Sequence, residues 1–167
     1  MRVPNLTLSV VAAHEHDDLP ARSTLRRWVL AALERDAGIT LVFVNARAGR
    51  KLNREFRGRD YATNVLTFTY DTAMAPEALQ APGARAKRGV PSLPIQADIV
   101  LCMPVVRREA REQGKTLRAH LAHLVIHGVL HAQGHDHERE RDARRMQAME
   151  TRLLAALRIA DPYAGEP

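Results

Sequence analysis

The amino-acid sequence predicts an α/β (α+β) fold in which a small mixed four-stranded sheet packs with about five helices. Three observations lead there. Short runs of β-branched and apolar residues recur between longer stretches whose apolar residues keep helical spacing. Glycine, proline and cap-forming residues stand at the boundaries between them. The 167 residues, 46% of them hydrophobic, suffice for one core and are short for two, so residues 1–167 are expected to form a single domain.

Leu6, Leu8 and Val10 alternate with polar neighbours and predict an opening strand, followed by a polar loop from His14 to Pro20. Ser23 is read as the cap of a helix that carries Leu25, Trp28, Val29, Ala32 and Leu33 on one face, with Gly38 as its terminating glycine. Ile39 to Val44 predicts a second strand. Asn45 suits the cap of a short helix reaching Phe56 and stopped by Gly58. Val65 to Tyr70 predicts a third strand and Ile95 to Cys102 a fourth, separated by an Ala/Pro/Gly-rich loop over residues 73–94. Pro104 belongs in the first turn of a helix running to Gly114, and two further helices are expected over 117–133 and 138–158.

The formal charge of +6 and the pI near 10.2 favour an anionic partner such as nucleic acid if the positive charge gathers on one face. Arginines scattered among Glu and Asp would produce the same totals without any such face. Cys102 is the single cysteine, which excludes an internal disulfide and a zinc site built on paired thiolates. No stretch approaches the roughly 20 apolar residues of a membrane span, and the N-terminus lacks the pattern of a signal peptide. A cytoplasmic protein without membrane association is expected.

The segment His127-Gly128-Val129-Leu130-His131-Ala132-Gln133-Gly134-His135-Asp136-His137 holds four of the chain's eight histidines. Positions i and i+4 share a helical face, so His127 and His131 can converge on one ion. Gly134 permits the left-handed turn that stops the helix and lets His135 or His137 swing back beneath them. Three neutral imidazoles with a fourth position left to water describe a catalytic zinc site, one Zn2+ per chain. Its water would have a pKa lowered from about 15.7 to about 7. His120 and His123, on the same helix, are expected to pack or to orient the ligands.

The elongated zinc-protease pattern H-E-x-x-H-x-x-G-x-x-H matches in its ligand and glycine spacing, which makes His137 the third ligand and the helix zincin-like. The general-base Glu of that pattern is replaced here by Gly128, which argues against peptide hydrolysis.

These residues resemble the YbeY family, bacterial rRNA maturation factors described as metal-dependent endoribonucleases. The resemblance spans most of the chain. It includes Leu52-Asn53-x-x-Phe56-Arg57-x-Arg59-Asp60-x-x-Thr63-Asn64-Val65-Leu66-Thr67-Phe68, Asp98-Ile99-Val100-Leu101-Cys102, and His127-Gly-x-Leu-His131-x-x-Gly-x-Asp-His137. It implies that His127, His131 and His137 bind zinc and that Arg57 serves catalysis or RNA contact beside the metal. It further implies a small sheet beside a helical layer, action on the 3′ end of single-stranded small-subunit rRNA, and a role in ribosome quality control with the small subunit and its assembly proteins. His135 stands where the family usually has an aromatic residue, which leaves it as a competing ligand or a proton shuttle.

Phosphodiester cleavage needs a polarised phosphoryl oxygen, an activated nucleophile and a protonated leaving oxygen. Arg57 suits bidentate contact with nonbridging oxygens, and a surface ion pair with Asp60 is its plain alternative. Zinc-bound hydroxide and the RNA 2′-hydroxyl are both open as nucleophile. Asp136 either orients an imidazole or caps the following helix, and Asp98, on a strand, needs a polar partner. A non-catalytic ribosome assembly factor with a structural metal is the first rival reading, and a zinc peptidase the second.

Overall fold

The computed structural model describes residues 2–12, 16–70 and 93–165. Four strands form one mixed sheet: β1 (Leu6–Ala12), β2 (Ala37–Val44), β3 (Val65–Tyr70) and β4 (Ile95–Cys102). Their spatial order is β1-β2-β4-β3. The β1/β2 and β2/β4 pairs are parallel, Leu8 lying opposite Ile39 and Ile39 opposite Ala97. The β3/β4 pair is antiparallel, with Thr67 opposite Ile99, so β3 is an edge strand. Five helices complete the fold: α1 (Arg22–Ala32), α2 (Ala46–Arg57), α3 (Met103–Glu112), α4 (Leu117–Ala132) and α5 (Glu140–Ala156). Among the described residues no helix is long and apolar enough to cross a membrane.

Strand alternation sends side chains to two unequal cores. Ile39, Leu41 and Phe43 of β2, with Ala97, Ile99 and Leu101 of β4, face the larger core and meet Trp28 of α1 and Leu121, Val125 and Leu130 of α4. Val44, Val100 and Cys102 face the other way, where α2 packs through Ala48 and Leu52. Ten of the sixteen residues of α4 are buried, which makes it the central helix rather than an amphipathic cover. Thr116 begins it, its side-chain oxygen accepting a hydrogen bond from the Ala119 amide at 3.1 Å.

The boundaries of α2 follow from its caps. Asn45 accepts a hydrogen bond from the Ala48 amide at 2.9 Å, and Gly58 closes the helix in the left-handed region at φ 67°. At α1 the structure corrects two expectations. Its N-terminal boundary is Ala21, with no side-chain cap, so Ser23 lies inside the helix. Arg22 and Arg26 instead donate to the Leu8 and Leu6 carbonyls at 2.6 and 3.0 Å, which ties the helix start to β1. The helix also ends at Ala32, and Gly38 is a β2 residue between Thr7 and Gln96. The end of the Gln96 side chain lies over it, where a Cβ would sit. The expected loop over 73–94 lies outside the described residues except for Leu93 and Pro94.

Gly128 sets how closely α4 approaches the sheet. A Cβ at this position would lie 2.8 Å from Ile99 Cγ2 and 3.3 Å from Thr67 Oγ1. Ile99 is fully buried and β-branched, so it has little room to yield. Gly128→Ala is therefore expected to destabilise the protein by about 1–3 kcal/mol through overpacking, despite the better helix propensity of alanine. Equilibrium urea unfolding measures this, and unchanged or increased stability would contradict the close-packing account.

Candidate metal centre

Helix α4 carries His120, His123, His127 and His131 along one side. The rings of His127 and His131 are 4.7 Å apart between centroids. The chain then reverses at Gly134, whose φ of 94° supplies the left-handed turn. Gln133 clamps this turn to the end of α1: its Nε2 donates to the Ala32 carbonyl at 2.7 Å, and its Oε1 accepts from the Glu34 amide at 2.6 Å. His137 returns to within 5.6 Å of the His127 ring and 4.7 Å of the His131 ring, centroid to centroid. One ligand nitrogen from each of His127, His131 and His137 lies within 4.8 Å of the others, a spread that one metal ion could bridge.

His135 is not part of this group. Its Nε2 meets the Glu34 carboxylate at 3.0 Å, so the ring is engaged with the α1 end of the turn. Among the described residues Asp136 makes no hydrogen bond to an imidazole, and it does not cap α5. It accepts from the amides of His137 and Glu138 at 2.6 and 3.2 Å, shaping the turn that returns His137. α5 begins at Glu140, with Arg139 at the cap.

A buried carboxylate orients the cluster from behind. Glu150 of α5 is fully buried. It accepts from His127 Nδ1 at 2.6 Å, from His123 Nε2 at 2.9 Å and from the Tyr163 hydroxyl. Burial by itself would raise its pKa, but the hydrogen bonds from His123, His127 and Tyr163 outweigh that and hold it down at about 2. With Nδ1–H donating to Glu150, His127 keeps the Nε2 lone pair for a cation. His123, His127 and Glu150 form a second group whose ligand atoms lie within 4.8 Å and which could also hold an ion.

Glu150 has no place in the sequence expectations, although a signal was present. Met146, Glu150 and Leu154 are the buried residues of α5, four apart, so a carboxylate sits in the middle of an apolar stripe. His131 is tuned differently. Burial first, then the neighbouring His127 and His137, lower its pKa to about 4, and at neutral pH it is an uncharged imidazole.

Arg57 ends α2 on the opposite layer of the fold, and it reaches the same cavity. This cavity, about 260 Å³, is lined by Arg57, by Thr63, Thr67 and Thr69, and by His127, His131 and His137. The alternative ion pair with Asp60 is taken by Arg50, whose Nε and terminal nitrogen both lie 2.8 Å from the Asp60 oxygens. Asn53, buried one turn before Arg57, donates to the Tyr61 carbonyl at 2.7 Å and holds the following loop against α2. Asp98 finds the partner its strand position demands in the Tyr70 hydroxyl.

Two acid-linked losses of stability are expected for the metal-free protein. His131 has a lower pKa folded, about 4, than its ordinary 6.5, so the unfolded chain binds more protons between these values. Stability therefore falls as pH drops from 6.5 to 4. Glu150, at about 2 against an ordinary 4.5, contributes stability that is full above 4.5 and lost as pH falls toward 2. Urea unfolding across pH checks both: His131→Asn should flatten the upper window and Glu150→Gln the lower. Slopes unchanged by these substitutions would refute the assignment.

Comparison with known proteins agrees over nearly the whole chain. A family model described as Endoribonuclease YbeY matches residues 12–158. Curated proteins named Endoribonuclease YbeY include one from Nitrosospira multiformis, 51% identical over 155 residues that cover 92% of this chain and 79% of the relative. Another, from Herminiimonas arsenicoxydans, is 49% identical over 168 residues and 98% of either chain. A third, from Paraburkholderia phymatum, is 46% identical over 167 residues, 97% of this chain and 98% of its own. The solution structure of a Thermotoga maritima protein is similar in fold, with a TM-score of 0.52 at 23% identity over 96% of this chain and 100% of that one. On the breadth of the family match and these identities, the chain belongs to the YbeY endoribonuclease family.

Proposed function

We propose that residues 1–167 act as one metal-dependent hydrolase domain, an endoribonuclease that cuts single-stranded rRNA at the 3′ end of the small-subunit RNA. In this reading His127, His131 and His137 hold one zinc ion on a zincin-like helix α4. The protein works in the cytoplasm, in rRNA maturation and ribosome quality control, with the small subunit and its assembly proteins as partners. The observation that carries the reading is the meeting of three imidazoles and one guanidinium in a single cavity.

The donor set fits zinc. It is all nitrogen, His131 is neutral at working pH, and His127 is oriented by a carboxylate, the usual arrangement behind a zinc-bound imidazole. Zinc bound there supplies a Lewis acid that polarises a phosphoryl oxygen. The protein's own groups bind and orient the phosphate and the ligand imidazole. Arg57 forms paired hydrogen bonds to the nonbridging oxygens and neutralises charge that grows in the transition state. Thr63, Thr67 and Thr69 offer hydroxyls to phosphate or ribose along the same wall. Glu150 keeps the Nδ1 proton of His127 in place throughout.

Gly128 weighs against the peptidase alternative for a second reason beyond the missing carboxylate. A side chain at this position would begin against Ile99 and Thr67 in the sheet, so a general base has no room to start there.

The deciding experiment compares cleavage of a labelled single-stranded rRNA fragment by the wild type, Arg57→Ala and His131→Ala, purified identically. Both variants are expected to lose on the order of 10²-fold or more in rate, and a chelator should abolish wild-type cleavage. Equal cleavage by all three would trace the activity to a contaminant. Folded protein that cleaves nothing would favour the assembly-factor reading.

RNA affinity should also fall steeply with salt. Each phosphate neutralised on a single strand contributes a slope of about −0.7 in log K against log salt. Filter binding at stepped salt measures this, and affinity indifferent to salt would remove backbone contact as its source.

A further inference from the structure

A second cavity, about 250 Å³, adjoins the metal centre and shares Asn64, Val65 and His127 with it. Its size is just below the roughly 300 Å³ at which sites for drug-sized ligands begin, a scale suited to one nucleoside. Val65, Leu124 and Pro162 give it apolar walls, and Glu109 and Lys115 bring opposite charges to it.

We propose that this cavity is a subsite for the nucleoside beside the scissile phosphate, and that Glu109 selects there a base bearing an exocyclic amino group over uracil. The proposal rests on the endoribonuclease reading and specifies its substrate.

The chemistry follows from how Glu109 is held. His120, itself buried with 3% exposure, meets its Oε2 at 2.7 Å. The Asn64 side-chain amide lies 3.2 and 3.1 Å from its two oxygens. These contacts fix the carboxylate and leave 23% of the side chain exposed. Among the described residues no Lys or Arg reaches ion-pair distance of it: Arg108 meets Glu112 at 3.9 Å, and Lys115 Nζ donates to the Pro162 carbonyl at 2.7 Å.

Burial would raise the Glu109 pKa, yet the His120 and Asn64 hydrogen bonds lower it overall, so the group is an ionised, acceptor-only carboxylate at neutral pH. About four acceptor sites exist on a carboxylate, and His120 and Asn64 occupy no more than three. The remaining one suits an N–H donor. Cytosine, adenine and guanine each present an exocyclic amino group, whereas uracil carries carbonyl oxygens at its exocyclic positions and its one ring donor, N3–H, lies between two of them, so a carboxylate that reaches it also meets acceptors. Lys115 spends one of its three donors on Pro162 and keeps two for the phosphate of the next nucleotide.

Oligocytidylate and oligouridylate test this directly. They have the same backbone and a pyrimidine ring, and differ at the 4-amino or 4-keto group and at N3. As homopolymers they fill the subsite in any register. Fluorescence anisotropy with the zinc-loaded full chain should give about tenfold tighter binding of oligocytidylate. Glu109→Gln, whose amide offers both donor and acceptor, should bring the two affinities together. An oligomer of N4,N4-dimethylcytidine, which lacks the amino protons, should bind the wild type no better than oligouridylate, a result that needs no variant to fold.

Equal binding of the two natural oligomers overturns the proposal. So does discrimination that survives in Glu109→Gln, or dimethylated RNA bound as tightly as oligocytidylate. Cleavage of the same oligomers keeps the two readings apart. Cleavage without base preference would leave the endoribonuclease standing and the subsite refuted, whereas base-selective binding without cleavage would do the reverse.

Discussion

The candidate metal centre depends on one buried carboxylate. Glu150 has no access to solvent, and its charge is compatible with burial because three hydrogen bonds, from His123, His127 and Tyr163, converge on it. The constraint runs in both directions. The donors keep the carboxylate ionised, and the carboxylate fixes the tautomer and ring orientation of His127, the imidazole shared by both candidate ligand groups. It also joins three parts of the chain, the middle of α4, the middle of α5 and the segment beyond α5 at Tyr163.

The second constraint is the approach of α4 to the sheet. Gly128 lets the helix settle against Ile99 and Thr67, which places the neighbouring His127 beside the edge strand β3. That strand supplies Thr67 and Thr69 of the cavity wall, and Thr63 comes from the segment just before it. Across the sheet, α2 is stopped by Gly58, and Arg57 sits at the last turn, where a cation is favoured by the helix dipole. The cavity is thus assembled from both helical layers and the exposed edge of the sheet. No single element could bring together a guanidinium, hydroxyls and imidazoles.

In the proposed function, a histidine spacing shared with zinc peptidases serves a different chemistry because one residue between the histidines differs. Glycine in place of the general-base Glu removes a proton acceptor and closes the space that its side chain would need. What the cavity gains instead is Arg57, a permanent cation that matches phosphate geometry. The proposed function follows from that exchange. A carboxylate beside the attacking group serves amide hydrolysis, and a guanidinium beside nonbridging oxygens serves transfer at phosphorus.

Local patterns were sufficient for much of this protein. Alternation and capping residues located the four strands and five helices, and the spacing of His127, His131, Gly134 and His137 predicted a cluster that the structure does bring together. These features are legible because they depend on backbone periodicity and on residues within a turn or two of each other. Gly38 is illegible for the opposite reason: its place in β2 is set by pairing with Thr7 and Gln96 on neighbouring strands, not by the helix before it. Tertiary structure alone decided that Arg50 rather than Arg57 pairs with Asp60, that His135 turns to Glu34, and that Glu150 lies behind His127. Each of these joins residues whose meeting depends on how elements pack, and a side chain's partner is set by that packing rather than by its own segment.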